Sequence, residues 1–244
     1  MRLVGKRTVI TGGSRGLGRA LATRFAREGA RLALCARSSD DLNRAALELA
    51  SLGPPPVTTS CDIADENQVA QLAALVLAEF GGVDVLINNA SVLGPRTEIL
   101  EWTRSAWNRV MDVNVGGAFL VTKAFLPSMI RQGSGSIINV SSSVGKVGKA
   151  AWGAYAVSKF ALEGFTQVLA AELASKGVRV NSVNPGAMDT EMRRAAYPHE
   201  DRSLLKPPSE LTEVFVYLAS DESRGVTGQW SEAQAVTKTN KEKV

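Results

Sequence analysis

Short β-branched runs alternate with longer stretches of helical periodicity along almost the whole chain, and this alternation restricts the fold more than any other feature. A run at residues 8–10 precedes a helix-like stretch at 16–28, and the apolar run 31–35 precedes another at 40–52. Gly53-Pro54-Pro55-Pro56 closes that second helix, because proline has no amide to continue it and its ring clashes with the preceding turn. The pattern repeats with a strand at 57–59 and a helix at 66–80, then a strand at 83–88 and a long helical region at 103–132. Strands at 136–140 and 178–183 flank a helix at 153–176, and a final helix is predicted over 208–219. Strands alternating with helices of this length build βαβ units, and therefore a parallel sheet covered by helices on both faces.

The 244 residues suit one α/β domain, assigned to 1–237, and 45% hydrophobic with 21% charged residues excludes disorder as the main state. A chain of this size buries enough surface to fold without a disulfide or a metal. The net charge is +4, half of it from Lys238, Lys241, Glu242 and Lys243 in a basic tail (238–244) that is expected to be disordered. The remaining excess is too thin for a nucleic-acid footprint. Cys35 and Cys61 form no CxxC pair, and His199 is the single histidine, so no metal site is expected and a Ser-His-Asp hydrolase would have to use His199. The N-terminus lacks a signal-peptide core and no apolar run approaches the ~18 residues of a membrane span, so a soluble, cytoplasmic protein without membrane partners is expected.

Ligands of doubly wound sheets bind beyond the carboxyl ends of the strands. Thr11-Gly12-Gly13-Ser14-Arg15-Gly16-Leu17-Gly18 follows the first strand and opens the first helix. Its glycines allow a tight turn and close approach to a pyrophosphate, while the helix start offers unpaired amides, so the loop reads as a dinucleotide cradle of the Rossmann type. After the second strand stands Ala36-Arg37-Ser38, with no acid before Asp40. A carboxylate there would hold a ribose 2′-hydroxyl, whereas Arg37, helped by Arg15, can fork onto a 2′-phosphate. The alternative is a solvated Arg37 with Asp40 capping the next helix; NADP(H) is the favoured cofactor.

Tyr155 and Lys159 stand at i and i+4, on one face of the predicted helix 153–176. A tyrosine phenol titrates near pH ~10, and a neighbouring ammonium would lower that value towards the working range of an acid–base catalyst. Ser141-Ser142-Ser143 ends the fifth strand just before this helix, so a hydroxyl, a phenol and an ammonium converge on the same rim.

These residues together resemble the short-chain dehydrogenase/reductases, in the branch of about 250 residues, over residues 5–229. Thr11–Gly18 matches the family's TGxxxGxG loop, covering Gly12, Ser14, Arg15, Gly16, Leu17 and Gly18, and Cys61-Asp62-Ile63 matches the segment that holds the adenine. Asn88-Asn89-Ala90 matches its NNAG, with Ser91 in place of the glycine, and Asn114 matches an asparagine whose main chain holds a water behind the lysine. Ser142 has the spacing of the family's catalytic serine, and Pro185-Gly186 with Met188 and Thr190 matches the element that clasps the nicotinamide.

The resemblance implies hydride transfer between NADP(H) and a carbonyl or secondary alcohol. Tyr155 would be the acid/base, Lys159 would hold the ribose and lower the Tyr155 pKa, Ser142 would polarise the carbonyl, and Asn114 would serve the proton supply. It implies a fold class of α/β, a single-domain Rossmann fold whose doubly wound parallel sheet has about seven strands. It also places substrate choice in the segment 187–206, which carries Met192. Val92 and Leu93 after Asn89, and Trp152 between Ser142 and Tyr155, read either as apolar walls of the substrate site or as ordinary packing. Arg193 and Arg194 offer a further possibility, contact with an anionic acyl carrier.

The family's Asp-Gly-Gly is missing after Thr227-Gly228-Gln229, so a short or polar seventh strand is expected, and a homodimer through the long central helices rather than an assured tetramer. The partners are then a small-molecule carbonyl or alcohol and a second copy of the chain. The rival readings are a non-catalytic NADP-binding redox sensor and an NAD-linked alcohol dehydrogenase.

Overall fold

In the computed structural model, which describes residues 1–235, seven strands lie in the order β3-β2-β1-β4-β5-β6-β7. They are β1 (Arg7–Thr11), β2 (Arg31–Ala36), β3 (Val57–Ser60), β4 (Val85–Asn88), β5 (Gly135–Val140), β6 (Val178–Asn184) and β7 (Trp230–Glu232). Every neighbouring pair is parallel. The helices are α1 (Gly16–Arg27), α2 (Ser39–Leu49), α3 (Glu66–Phe80), α4 (Arg104–Met111), α5 (Ala118–Arg131), α6 (Gly153–Leu173), α7 (Glu191–Ala196) and α8 (Glu213–Ala219). The predicted tail at 238–244 lies outside the described residues.

The pleat sends successive strand residues to opposite faces, and both faces are buried, which is why the strands read as continuous apolar runs. Ile10, Leu34, Ile87 and Ile138 meet α1, α2 and α8 through Leu21, Phe25, Leu42 and Phe215. Val9, Ala33, Leu86 and Ile137 meet α3, α5 and α6 through Val76, Val121, Phe125 and Leu169. The strand order reverses between β1 and β4, which opens a crevice at their carboxyl ends.

Local chemistry sets the helix ends. Asp65 caps α3 by accepting from the amides of Asn67 and Gln68, and Gly81 ends it with a φ of 72°. Ser38, rather than Asp40, caps α2 by accepting from the Asp41 amide.

Two predicted elements differ. The single helix expected over 103–132 divides into α4, a π-helical turn at Asp112–Gly117, and α5. The wide turn lets the buried Asn114 amide accept from Val92 N at 2.8 Å and donate to Val92 O and Ser158 Oγ, both at 3.0 Å. Gly117 within the turn approaches Ile63 so closely that a Cβ would lie 2.5 Å from its Cδ1. The final helix shortens to α8 behind a 3₁₀ turn at Pro208–Leu211. By length and composition the run Arg104–Arg131 would also pass as a membrane span, contrary to the expectation of no such segment. Half of that stretch is buried in the fold, with Val113, Val121, Phe125 and Met129 in the core, so it is a core helix. The short β7 agrees with the polar sequence after Gln229.

A buried polar chain ties the central strands to the helices above them. Asn88 Nδ2 donates to Thr122 Oγ1 at 3.0 Å and to Asn139 Oδ1 at 2.9 Å, and Asn139 Nδ2 donates to Thr166 Oγ1 at 2.9 Å. Buried donors and acceptors left without partners cost more than the net value of the bonds they make. Asn139→Ala is therefore expected to lower stability by roughly 2–4 kcal/mol, read as a reduced urea midpoint with an unchanged slope.

Candidate active site

A groove of about 780 Å³ runs along the carboxyl ends of the strands, within the size range of small-molecule and cofactor sites. Its first wall is the turn from β1 into α1. Gly12 and Gly16 have φ of 65° and 54°, and a Cβ on Gly18 would lie 2.1 Å from the Gly12 carbonyl oxygen. Asn89 holds this turn, donating from Nδ2 to Thr11 O at 2.8 Å and to Gly12 O at 3.2 Å. No side chain caps α1 and its first turn carries no acid, so its amides are free to meet an anion. The glycine cradle, uncapped helix start and groove volume together fit a dinucleotide.

Of the predicted residues, Gly12, Ser14, Arg15, Gly16, Leu17, Arg37, Asp62, Ile63, Asn89, Tyr155, Lys159, Pro185, Met188 and Thr190 line the groove, as do Val92, Leu93 and Met192. Gly18, Asn114, Ser142, Trp152 and Gly186 are not among the residues that line it. Trp152 is buried, tilted against the Tyr155 ring at 5.5 Å. Gly186 has a φ of 75°, and the Gln234 side chain closes over it by donating to Ala187 O at 2.6 Å. Thr190 Oγ1 caps α7 by accepting from Arg193 N at 3.2 Å. Ser91, the departure from the family pattern, also faces the groove.

Several lining residues carry no local sequence signal. Arg109 on α4 meets Asp62 at 2.8 Å. Burial alone would raise the Asp62 carboxyl, but the Ala64 amide and Arg109 hold it below the usual range. Cys35 and Cys61, distant in sequence, both line the β2–β3 end of the groove, and the neighbouring Cys61 thiol together with burial pushes the Cys35 thiol up. Asp41 reaches the groove beside Arg37 and Ser38, with its carboxylate engaged by Arg44 and Ser38 and held low. Arg15 pairs with Glu191 at the start of α7.

At the other end, α6 presents Tyr155 and Lys159 one turn apart, as their spacing predicts. Ser142 stands beside the phenol and favours its ionised form, and Lys159 Nζ donates to Val140 O at 2.8 Å while lying 5.5 Å from the Tyr155 ring centroid. Ser158 Oγ donates to Tyr155 O at 2.7 Å and accepts from Asn114, so the π turn braces the same helix. The charges differ from the sequence argument. Burial pushes the Tyr155 phenol up to about 12, against the neighbouring Ser142 hydroxyl that would lower it. Burial also brings the Lys159 ammonium down to about 8, against the pull of Glu163. Ammonium–phenolate attraction alone would lower the phenol, but the cost of desolvating each charge outweighs it here.

The protein without ligand should therefore keep Tyr155 protonated well above neutral pH. An ultraviolet titration of wild type minus Tyr155→Phe is expected to show one phenol ionising near pH 12. A difference signal below pH 9 would contradict the burial argument.

Comparison with known proteins agrees with this geometry. The short chain dehydrogenase family model matches residues 6–201. The chain is 38% identical over 229 residues to the uncharacterized oxidoreductase YciK of Escherichia coli, covering 93% of this chain and 90% of the relative. It is 36% identical to the 3-oxoacyl-[acyl-carrier-protein] reductase FabG of Thermotoga maritima, covering 94% and 96%. A short-chain dehydrogenase from Shigella flexneri solved with NADP superimposes with a TM-score of 0.92 at 36% identity, covering 96% of this chain and 98% of that one. One from Escherichia coli solved with NADPH gives 0.92 at 37%, with the same coverage. The chain belongs to the short-chain dehydrogenase family and is an oxidoreductase built on a single Rossmann-type domain.

Proposed function

We propose that the protein is an NADP(H)-dependent carbonyl reductase, running reversibly as a secondary-alcohol dehydrogenase. The observation that carries this reading is the meeting of Tyr155 and Lys159 at one end of a groove, with Ser142 beside the phenol, while the other end offers Arg37 and the glycine turn. Gly12, Ser14, Gly16 and Leu17 would hold the pyrophosphate, and Arg37 with Arg15 the 2′-phosphate. Asp62 and Ile63 would hold the adenine, and Pro185, Met188 and Thr190 the nicotinamide. NADP bound to the Shigella flexneri relative and NADPH bound to the Escherichia coli relative support this choice. The cofactor supplies a hydride to the carbonyl carbon or accepts one from the carbinol.

The chain's own groups handle the oxygen. In reduction, Tyr155 Oη gives its proton to the carbonyl oxygen, towards which Ser142 donates a hydrogen bond. A phenol raised to about 12 holds that proton at neutral pH. Lys159, largely protonated below about 8, faces the ring and stabilises the phenolate that proton transfer leaves. Asn114 positions α6 through Ser158.

Val92, Leu93, Met188, Met192 and Ala195 give the substrate end an apolar lining, which favours a neutral ketone or aldehyde. Arg193 is committed to Glu200 and stacks on Tyr197 at 4.0 Å, and Arg194 faces Asp189 at 3.9 Å, so these arginines give little support to an anionic carrier. Exposed Phe119, Phe160 and Val168 on α5 and α6 support a homodimer. The two free thiols accord with a reducing cytoplasm.

Two variants test the assignment in an NADPH-oxidation assay over ketones, aldehydes, quinones and a 3-oxoacyl thioester. Tyr155→Phe is expected to cut kcat by about 10²–10⁴-fold with cofactor affinity nearly unchanged; surviving turnover would remove Tyr155 as proton donor. Arg37→Asp is expected to weaken NADPH by about 10–100-fold relative to NADH in a binding titration. Equal losses for the two cofactors would contradict the 2′-phosphate role.

A further inference from the structure

Behind the substrate end of the groove lies an arginine that neither the proton transfer nor the dinucleotide cradle requires. Arg96, in the loop between β4 and α4, is half-buried between two aromatic rings. Its Cζ lies 4.1 Å from the Trp152 ring centroid and 4.9 Å from that of Tyr197. Its Nε donates to Ala151 O at 3.0 Å, and its Nη1 donates to Ala196 O at 3.3 Å. The planar guanidinium thus joins one ring and one carbonyl from each of two segments that touch at the active site.

The first segment is the turn into α6. Ala151 there has a φ of 61°, in the left-handed region that a Cβ disfavours. Gly153 next to it is packed so tightly that a Cβ would lie 2.4 Å from the Trp102 ring. Trp152, between them, packs on Tyr155 at 5.5 Å. The second segment is the end of α7, the helix that carries Met192 into the groove. Tyr197 closes this helix, with Trp152 at 6.0 Å and the Arg193 guanidinium on its ring at 4.0 Å. Among the described residues, Arg96 is the side chain that bonds both backbones at once.

We propose that Arg96 is a positioning residue that latches α7 to the turn before Tyr155 and so fixes the Met192 wall of the substrate site relative to the phenol. The latch determines how closely the site fits its carbonyl substrate. Its kinetic consequence rests on the carbonyl-reductase reading; its structural consequence does not. A guanidinium is required because the two carbonyls and the two ring faces are served by one plane. A lysine could sit over a ring but could not reach both carbonyls with fixed donors.

The test compares the full-length wild type with Arg96→Ala and Arg96→Lys by steady-state kinetics and by limited trypsin digestion mapped by mass spectrometry. In Arg96→Ala, KM for the best carbonyl of the panel is expected to rise about tenfold, with kcat and KM for NADPH each changing less than about threefold. Cleavage after Arg193, Arg194 or Arg202 is expected to be at least about fivefold faster, while cleavage elsewhere is unchanged. Arg96→Lys should recover only part of both effects. Should Arg96→Ala fail to fold, the same two measurements on Arg96→Lys decide. Unchanged KM and unchanged digestion at these sites in a folded variant would overturn the latch, as would full recovery by Arg96→Lys. A wild type that reduces no carbonyl would instead count against the reductase reading, and the digestion pattern would still decide the latch.

Discussion

Seven parallel strands cannot be joined by hairpins, so each connection must cross the sheet, and every carboxyl end falls on one edge. That constraint puts residues that follow six of the strands, β1 to β6, within reach of one groove. The switch in strand order between β1 and β4 decides where along the edge the crevice opens. The glycine turn follows β1, Arg37 follows β2, Asp62 follows β3, Asn89 follows β4 and Ser142 follows β5. None of these segments makes a site alone, and each depends on register for its place.

Burial then sets the chemistry. Lys159 is 2% exposed and Tyr155 8% exposed, so neither charge is cheap. Burial favours the neutral phenol and weakens the hold of the ammonium on its proton. A carbonyl reduction needs a proton donor that is still protonated at neutral pH and a nearby cation for the phenolate it leaves. In the proposed reduction the pair would supply both without Tyr155 being ionised in advance. The cost of burying the ammonium is offset in part by its 2.8 Å bond to Val140 O and by Glu163 one turn on.

Much of this was legible in the sequence because it is periodic or local. The helix at 66–80 is found with the same ends, since Asp65 and Gly81 are local cap signals. Tyr155 and Lys159 share a helix face by spacing alone, and the glycine turn sits where a first βα connection should be. The missed features are long-range or depend on desolvation. Nothing near Asp62 announces Arg109, nothing near Cys35 announces Cys61, and no period separates the π turn at Asp112–Gly117 from the helices beside it. The sequence around Trp152 likewise does not show that Arg96, from a loop more than fifty residues away, covers its ring.

The proposed reduction passes a hydride from the nicotinamide to a carbonyl carbon while the chain supplies the proton. Single turnover with NADPH deuterated at the transferring position, using the best carbonyl of the panel, tests that directly. The expected product is an alcohol carrying one deuterium at the carbinol carbon and a hydroxyl proton exchangeable with solvent. An alcohol without the label, or label lost to water, would contradict it.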